Sequence, residues 1–405
     1  MTLEIRTLTS DEIDAAELIA AAAFSSPSRH DLSERLERIH KDFDPQWYLG
    51  AFEDGEMTAM MRMIPSEMWI NGGTVAFGTV SPVASSPLHR RKGHTGAMLR
   101  RSLAVMRERG QAISGLYTPH PALYRRYGWE IASEGRTYSF KPKDYAPQVE
   151  PAQRGRFRSL KSADWEQLDR VYQAHASRHN GPFRRTDWWW RHYVLETPWR
   201  LVSDIVLWES DAGVPEGYAA YQQTPGTPGE AGKVVVLELV ALTPDAYLNL
   251  VSYFARHDIH GEIVLPAAPD DRLPVIFTDA ERLELRQGYG VLLRVCDFAG
   301  AMAARPPADT GEHCEVTLQV DDRDAPWNDG AWRVGVAEGK TWAERVSSGA
   351  ELRLPARMLG PIFNGYLTPT MAAGVGLLSA TSEDALERAG RVFAVRKQPY
   401  FPDHF

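Results

Sequence analysis

The sequence VSPVASSPLHRRKGHTG, residues 80–96, is the most informative part of this chain. It begins as a strand rich in Val, Ala and Ser and ends where an amphipathic helix, 95–109, begins. Gly110 is a stop signal for that helix, and a second apolar run, 112–117, follows directly. The order strand, loop, helix, strand predicts one α/β unit.

Three cations, Arg90, Arg91 and Lys92, stand just before the N-terminus of the predicted helix. The free amide groups of a helix N-terminus carry about +0.5 of a charge and repel cations unless an anion lies among them. Gly93 and Gly96 are expected to let the backbone approach such an anion closely. A solvated basic helix start is the alternative interpretation of so short a motif. We interpret the loop as a pyrophosphate site.

The loop departs from two familiar phosphate-binding motifs. A Walker loop needs G-x-x-x-x-G-K-[ST], and a dinucleotide-binding loop needs G-x-G-x-x-G after its strand. Neither pattern is present at residues 80–96. The pyrophosphate is therefore predicted to belong to an acyl carrier, coenzyme A, rather than to a nucleoside triphosphate or a dinucleotide.

Residues 90–95, RRKGHT, resemble the R/Q-x-x-G-x-G/A motif of the GCN5-related N-acetyltransferases, with Thr95 in the last small position. The resemblance narrows over 83–93 and 123–129 to the enhanced intracellular survival (Eis) acetyltransferases. Chain length, two weaker C-terminal domains and a terminal Phe405 agree with that family. The resemblance covers the whole chain, but specific motifs lie only in its first 140 or so residues.

The resemblance implies that acetyl-CoA is the co-substrate, that one strand binds its pantetheine arm, and that the basic loop binds its pyrophosphate. In this family the strand diverges from its neighbour and leaves backbone groups free for the cofactor. Pro119 and His120 are expected beside the thioester, although related proteins often have small or acidic residues there. The predicted cofactor-binding residues are Val83, Ala84, Ser85, Arg90, Arg91, Lys92, Gly93, His94, Thr95, Gly96, Pro119 and His120.

Composition places the chain among globular proteins of more than one domain. It has 405 residues, of which 43% are hydrophobic and 24% charged, and its apolar runs are all shorter than the ~18 residues of a membrane span. A formal net charge of −8 disfavours nucleic acid as a partner and slightly favours cationic amines. The two cysteines, Cys296 and Cys314, exclude a disulfide framework and a four-thiolate zinc site. The N-terminus lacks a signal-peptide pattern, which predicts a cytoplasmic protein.

Further elements are predicted from periodicity and turn signals. The chain begins with a strand at 3–8 and a capping box, Thr9 to Glu12, that starts an Ala-rich helix. Pro82 predicts an edge or a bulge in its strand, because proline removes a backbone donor. Other elements predicted for the first domain are a helix at 32–43 and strands at 48–52, 57–64 and 67–70.

Segments 141–158 and 299–312 are interpreted as linkers. The predicted fold class is α/β and α+β: two GCN5-related acetyltransferase-like domains, the second degenerate, followed by a sterol-carrier-protein-like domain. The second domain is interpreted as degenerate because no arginine pair or glycine follows its central strand, 234–242. A sterol-carrier-like fold does not by itself predict lipid binding. The predicted domain bounds are 1–145, 146–298 and 299–405.

Acetyl transfer to an amine needs an acid that protonates the leaving thiolate. Tyr124 is the candidate, because YRRYGW at 124–129 matches the family pattern Y-x-x-[YF]-G-[YWF]. A phenol with a pKa near 10 is protonated at neutral pH and can donate to a thiolate whose pKa is near 8.5. Tyr127 is the alternative acid.

The reaction also needs a base for the amine, and no Asp or Glu of the first domain lies in a recognisable motif. By resemblance the base is the terminal carboxylate of Phe405. The tail, PYFPDHF at 399–405, has three aromatic residues and two prolines and can dock. An α-carboxyl pKa of about 3.5 makes this group a weak base unless its surroundings raise that value. His404 is the alternative base, and Asp403 is expected to hold a cationic substrate.

Two other clusters have weaker interpretations. His175 and His179 are spaced i,i+4 on a predicted helix, but without a third ligand nearby we predict no metal site. The run 188–190, three tryptophans, is predicted to be interdomain core, with a substrate groove as the alternative.

We therefore predict an acetyl-CoA-dependent N-acetyltransferase of small polycationic amines such as aminoglycosides, the acceptors that the resemblance implies. Alternatives are a non-catalytic CoA-binding or lipid-binding regulator, and a protein lysine acetyltransferase. Nucleic acid and membrane are not expected partners. A homo-oligomer, a hexamer, is expected from the resemblance alone.

Overall fold

The computed structural model describes residues 2–24, 36–37, 39–152, 154–197, 200–201, 204–227, 231–347 and 349–405. These residues form two compact units. The first consists of Met1–Ala132, Val291–Val395 and Phe405, and the second of Ser133–Gly290 and Arg396–His404. Among the described residues, no helix is both long and apolar enough to cross a bilayer.

The strands of the first unit are β1 (Leu3–Thr7), β2 (Tyr48–Glu53), β3 (Glu56–Ile70), β4 (Gly73–Ser85), β5 (Ile113–Leu116), β6 (Glu130–Ile131), β16 (Leu292–Val295), β17 (Cys314–Asp321), β18 (Gly330–Ala337), β19 (Lys340–Arg345), β20 (Leu352–Pro355) and β21 (Ser379–Ala380). Its helices are α1 (Ile13–Ala23), α2 (His94–Glu108), α3 (Pro121–Arg125), α8 (Phe298–Ala304), α9 (Leu359–Phe363), α10 (Pro369–Gly374) and α11 (Glu383–Val392). A helix was predicted at 32–43. Residues 36–37 and 39–42 are helical, residue 43 is not, and residues 32–35 and 38 lie outside the described residues.

The strands of the second unit are β7 (Glu134–Phe140), β8 (Arg156–Leu160), β9 (Glu196–Thr197), β10 (Arg200–Leu201), β11 (Asp204–Glu209), β12 (Pro215–Thr224), β13 (Lys233–Ala241), β14 (Glu262–Ala267) and β15 (Glu284–Tyr289). Its helices are α4 (Trp165–Ala176), α5 (Asp187–Trp189), α6 (Pro244–Ala255) and α7 (Leu273–Ile276). Helix α5 continues as a π-helix, Trp190–Leu195.

The first unit contains two sheets. The larger has the order β1-β2-β3-β4-β5-β16-β6, and the smaller has the order β19-β18-β17-β20-β21. Helix α2 lies against the larger sheet and buries Leu99, Leu103 and Met106, three apolar residues at helical spacing, together with Met98. The capping box from Thr9 to Glu12 is present ahead of α1, as predicted.

The second unit contains a sheet of order β15-β7-β14-β13-β12-β11-β8 and a two-stranded sheet of β9 and β10. Strand β16 follows this unit in sequence but pairs with β5 and β6 in the first unit's sheet. Strand β7 precedes position 145 but pairs with β14 and β15 in the second unit's sheet. Each acetyltransferase-like sheet thus includes a strand from outside its own span of sequence.

Strand β3 is continuous where the sequence predicted two strands, 57–64 and 67–70. Pro65 lies within this strand, although a proline usually indicates the end of a strand. The register explains why proline is tolerated: β2 pairs with β3 only as far as Arg62, so one side of β3 needs no backbone donor at Pro65. This part of the prediction was wrong.

Candidate active site

Strands β4 and β5 diverge at the centre of the larger sheet. They pair in parallel over Phe77–Thr79 and Ile113–Gly115, after which no pairing joins these two described strands. Strand β4 continues to Ser85 while paired with β3 alone. A β-bulge lies between Val80 and Val83, where the sequence predicted an edge or a bulge at Pro82. Backbone groups on one edge of β4 therefore face the gap, as the cofactor strand requires.

The loop between β4 and α2 presents a helix N-terminus without a side-chain cap. Its capping residue, Gly93, has a φ of 89°, and no atom lies within 4 Å of the position its Cβ would take. Arg91 also has a positive φ, 66°, which costs a non-glycine residue about 1 kcal/mol or more and concentrates at functional sites. The Ser85 and Thr95 hydroxyls lie 2.6 Å apart and join the end of the strand to the first helical turn. The open amide groups of this turn fit an anion.

The three cations of the loop have different surroundings. Arg90 and Arg91 are exposed, and neither forms an ion pair with any residue that the structure describes. Lys92 donates to Glu53 Oε2 at 2.6 Å, and the same carboxylate lies 3.5 Å from Nε2 of His94. Lys92 and His94 are therefore tied to the end of β2, which leaves the two guanidinium groups as the better candidates for phosphate contact.

A close contact explains why position 96 is a glycine, and the sequence did not predict this contact. A Cβ at this position would lie 2.1 Å from the Tyr127 hydroxyl, so glycine here leaves room for that tyrosine. The Arg100 guanidinium carbon lies 5.0 Å from the centre of the Tyr127 ring and packs it further against α2. The expectation that Gly96 also lets a phosphate approach the backbone stays a prediction.

Arg91→Ala is expected to weaken acetyl-CoA binding by about 1.5–3 kcal/mol, because one charge-assisted phosphate contact is lost. Calorimetry measures this as a roughly 10–100-fold rise in Kd. Arg101→Ala is the matched control, since Arg101 is an exposed arginine on α2, the helix that follows the loop, and pairs with Glu108. Equal affinities for the two variants would remove Arg91 from the phosphate site.

Tyr124 lies on the short helix α3, which follows β5. Its side chain is 8% exposed and packs edge-on against Trp129, with ring centroids 6.4 Å apart. Within the described residues its hydroxyl has no hydrogen-bond partner. Burial raises the pKa of Tyr124 to about 12, so the phenol keeps its proton across the neutral range. These properties suit a proton donor whose partner arrives with the substrate.

Phe405 belongs to the first unit although it ends the chain. Its ring lies against that of Tyr117, with centroids 5.0 Å apart, and Tyr117 directly follows β5. The terminal residue is thus docked at the carboxyl end of the strand that diverges from β4. Pro119 and His120 are exposed in the loop that continues from Tyr117 to α3, and His120 donates its backbone N–H to the Thr118 hydroxyl.

Asp403 is not available to a substrate, contrary to the sequence-based expectation. Its carboxylate is fully buried in the second unit and receives hydrogen bonds from Arg185 Nε at 2.7 Å, Trp189 Nε1 at 2.9 Å and the Phe183 backbone N–H at 3.0 Å. The Tyr172 hydroxyl lies 3.0 Å from the same group. Tyr172 has one proton, and its hydroxyl also lies 2.9 Å from the Phe183 carbonyl. Because the carboxylate is buried and accepts from the N–H groups of three residues, it is not available to a substrate ammonium.

The second unit repeats the geometry of the first without its loop. Strands β13 and β14 pair in parallel over three residues and then separate. The helix that follows β13 begins with Pro244 and is capped by the Thr243 hydroxyl, which accepts from the backbone of Ala246. A capped helix start with no adjacent arginine offers little to a pyrophosphate.

One acetyl-CoA is therefore expected to bind per chain. Titration calorimetry gives the stoichiometry, and Arg91→Ala should weaken the single transition without revealing another. Two equivalent sites per chain would contradict the interpretation of the second domain as a degenerate copy.

The remaining candidates lie in the second unit. The His175 and His179 rings stack 4.2 Å apart, and burial lowers the pKa of His175 to about 3. Within the described parts of the chain, no group of three or more metal-ligating side chains comes together. Trp189 and Trp190 are buried in this unit's core, and Trp188 is half-buried.

Sequence reasoning missed three residues with positions relevant to the site. Tyr117 contacts Phe405, Glu53 holds the loop lysine, and Arg185 holds Asp403. Tyr117 could have been suggested by its place directly after a strand of the acetyltransferase-like unit. The other two make contacts across 39 and 218 positions of sequence, and no local pattern indicates such pairs.

Comparisons with known proteins agree with this geometry. Acetyltransferase (GNAT) domain models match residues 4–132 and 181–295, and a sterol carrier protein domain model matches 298–402. An uncharacterized N-acetyltransferase of Streptomyces griseus is 28% identical over the full length of both chains, and the N-acetyltransferase Eis of Mycobacterium tuberculosis is 24% identical over 97% of each.

Solved structures extend the similarity to the whole fold. Eis1 from Mycobacterium abscessus has a TM-score of 0.83 at 26% identity, with full coverage of both chains. A GCN5-related N-acetyltransferase from Anabaena variabilis has a TM-score of 0.88 at 21% identity, also over both full chains, and supports the fold. Because the domain models, full-length relatives and diverging strands agree, this chain belongs to the GCN5-related N-acetyltransferases as an Eis-like member that uses acetyl-CoA as its co-substrate.

Proposed function

We propose that this enzyme acetylates amines with Tyr124 as general acid and the Phe405 carboxylate as general base. The observation that carries the proposal is the docking of Phe405 against Tyr117, at the carboxyl end of β5. Tyr124 follows the same strand on α3. Both groups therefore belong to the end of the sheet at which β4 and β5 diverge.

The proposed reaction assigns one proton to each group. The Phe405 carboxylate accepts a proton from the substrate ammonium, directly or through water, and the free amine attacks the acetyl carbonyl carbon. A C–N bond forms, the nitrogen loses its second surplus proton as the C–S bond breaks, and the leaving thiolate takes the Tyr124 proton. The proton released by the nitrogen restores the Tyr124 phenol through water. A phenol held neutral by burial still carries its proton when the C–S bond breaks. Because the pKa of Tyr124 lies above the ~8.5 of a thiol, we propose that the proton is donated while negative charge builds up on the sulfur, and that the phenol is reprotonated afterwards.

The proposed acceptors are small polycationic amines such as aminoglycosides. The chain's formal net charge of −8 favours the approach of cations, and full-length relatives include proteins named N-acetyltransferase Eis. Protein lysine side chains are the second candidate class. We also infer a cytoplasmic location, supported by two free cysteines, and a hexameric assembly by resemblance.

A turnover screen tests the proposal. Release of free thiol from acetyl-CoA is followed with a panel of aminoglycosides, polyamines and lysine-containing peptides. We expect turnover with at least one small polycationic amine and little with peptides. Preference for peptides would favour a protein lysine acetyltransferase. Failure of every amine with protein that binds acetyl-CoA would count against amine acetylation itself.

A further inference from the structure

A charged cluster is completely buried in the second unit. Arg185 donates from both terminal nitrogens to Glu238, at 2.6 and 3.0 Å, and from Nε to Asp403 at 2.7 Å. The three side chains are 1%, 5% and 0% exposed. The guanidinium carbon also lies 3.7 Å from the centre of the Tyr172 ring, and the Tyr218 hydroxyl donates to Glu238 at 2.8 Å. Such a cluster is retained only where its geometry is fully satisfied.

The cluster holds a segment that is remote in sequence. Asp403 lies 218 positions after Arg185 and two positions before the C-terminus. The tail is also fixed upstream of Asp403, because Asn180 donates to the Lys397 carbonyl at 2.5 Å and accepts from the Tyr400 N–H at 2.8 Å. Residues 397–403 are therefore anchored at both ends to the second unit.

Glu238, which binds Arg185 in this cluster, lies next to the β-bulge of β13. In the first unit, β4 pairs in parallel through Thr79, bulges, and resumes its antiparallel register at Val83, a predicted cofactor-binding residue. In the second unit, β13 pairs in parallel through Val235, bulges, and resumes at Glu238. Glu238 is thus the first paired residue after the bulge of β13, as Val83 is the first after the bulge of β4. At this point the second unit has a buried carboxylate, and the first has a residue that is predicted to bind the cofactor.

We propose that the second acetyltransferase-like unit uses this position to hold the enzyme's own C-terminal tail, with Arg185 and Asp403 as positioning residues for the terminal carboxylate. This inference rests on the proposed role of Phe405 as base. Only His404 separates Asp403 from Phe405, so their Cα atoms are at most about 7 Å apart. Fixing Asp403 therefore restricts the volume that the carboxylate can sample. A weak base gains most from such restriction, because proton transfer depends on hydrogen-bond geometry.

Asp403→Asn tests the proposal. Glu238 and Arg185 remain as a balanced ion pair, so the buried charge stays compensated and the unit is expected to fold. The amide nitrogen, however, faces the N–H groups of Arg185 and Trp189 on one side or the Phe183 N–H on the other, so the anchor loses hydrogen bonds in either orientation. We expect kcat to fall by about 100-fold, as for a misplaced catalytic group, with the Kd for acetyl-CoA unchanged.

A second measurement reports on the tail without using activity. Carboxypeptidase A removes a C-terminal phenylalanine, and intact-mass spectrometry follows the loss of Phe405. Release should be at least about tenfold faster in Asp403→Asn than in the parent, since cleavage follows the population of the released tail. Glu209→Gln is the matched control. Glu209, like Asp403, is a buried carboxylate of this unit that accepts from arginine. Its partners are Arg156 and Arg158, and none of the three residues belongs to the tail.

Trp189→Phe is a milder variant that removes one donor to Asp403, and it should show smaller changes in the same directions. Unchanged kcat and unchanged Phe405 release in Asp403→Asn would overturn the positioning role. The same substitution is also made in the C-terminally extended protein. If Asp403→Asn lowers kcat there by the same factor as in the parent, the positioning role is also overturned, because the cluster would then act on something other than the terminal carboxylate. Full turnover by the C-terminally extended parent would instead refute the terminal base itself, which separates the two failures.

Discussion

Turnover is expected to fall by about 10²–10⁴-fold when a short peptide is appended after Phe405, because the terminal carboxylate becomes an amide that cannot accept a proton. Acetyl-CoA affinity should survive, since the predicted pyrophosphate contacts lie in the loop between β4 and α2, whereas Phe405 contacts Tyr117 after β5. Steady-state kinetics with the best amine, together with calorimetry for acetyl-CoA, measure both quantities. The same peptide placed at the N-terminus is the matched control and should leave turnover unchanged.

Two further variants locate the base. His404→Ala should retain turnover, because the imidazole is only the alternative proton acceptor. Deletion of Phe405 leaves a carboxylate but withdraws it by about 3.3–3.6 Å and removes the ring that contacts Tyr117. We expect this variant to be nearly as slow as the extended one. If mass spectrometry shows the extension intact and amines still turn over at the parent rate, the base is another group.

Local sequence signals were sufficient for the first unit's cofactor-binding half. The helix at α2, the bulge near Pro82 and the capping box at Thr9 follow from residues within a few positions of one another. The basic loop was predicted from the conflict between cations and a helix N-terminus, and the exposed guanidinium groups of Arg90 and Arg91 agree with that reasoning.

Long-range contacts set the limit of prediction. Strand β7 lies before the domain bound predicted at 145 but joins the second unit's sheet, and β16 lies before the bound predicted at 298 but joins the first unit's sheet. Local propensity does not specify which sheet a strand joins. The contact of Gly96 with Tyr127 was not predicted, because the two residues lie 31 positions apart. Asp403 was assigned to the substrate for the same reason: its buried donors come from a segment more than 200 positions earlier.

The second large effect is expected for Tyr124→Phe, which should lower kcat by about 10²–10⁴-fold and leave the Kd for acetyl-CoA unchanged. The hydroxyl has no hydrogen-bond partner among the described residues, so its removal strands no buried group. The ring contact with Trp129 is also retained. Thermal unfolding should therefore be unaltered, and a kinetic loss can be ascribed to the proton rather than to the fold.

Tyr127→Phe is the matched control, since its hydroxyl abuts Gly96 on α2. It should keep most of its kcat, and an inactive Tyr127→Phe beside a normal Tyr124→Phe would exchange the two roles. The pH profile gives an independent check. Burial raises the pKa of Tyr124 to about 12, so the acid form persists as pH rises and is lost only as pH passes through that value. The Tyr124 phenol remains protonated at pH 8–9. If kcat falls with a midpoint near pH 8–9, and the same fall is present in Tyr124→Phe, the donated proton belongs to a different residue.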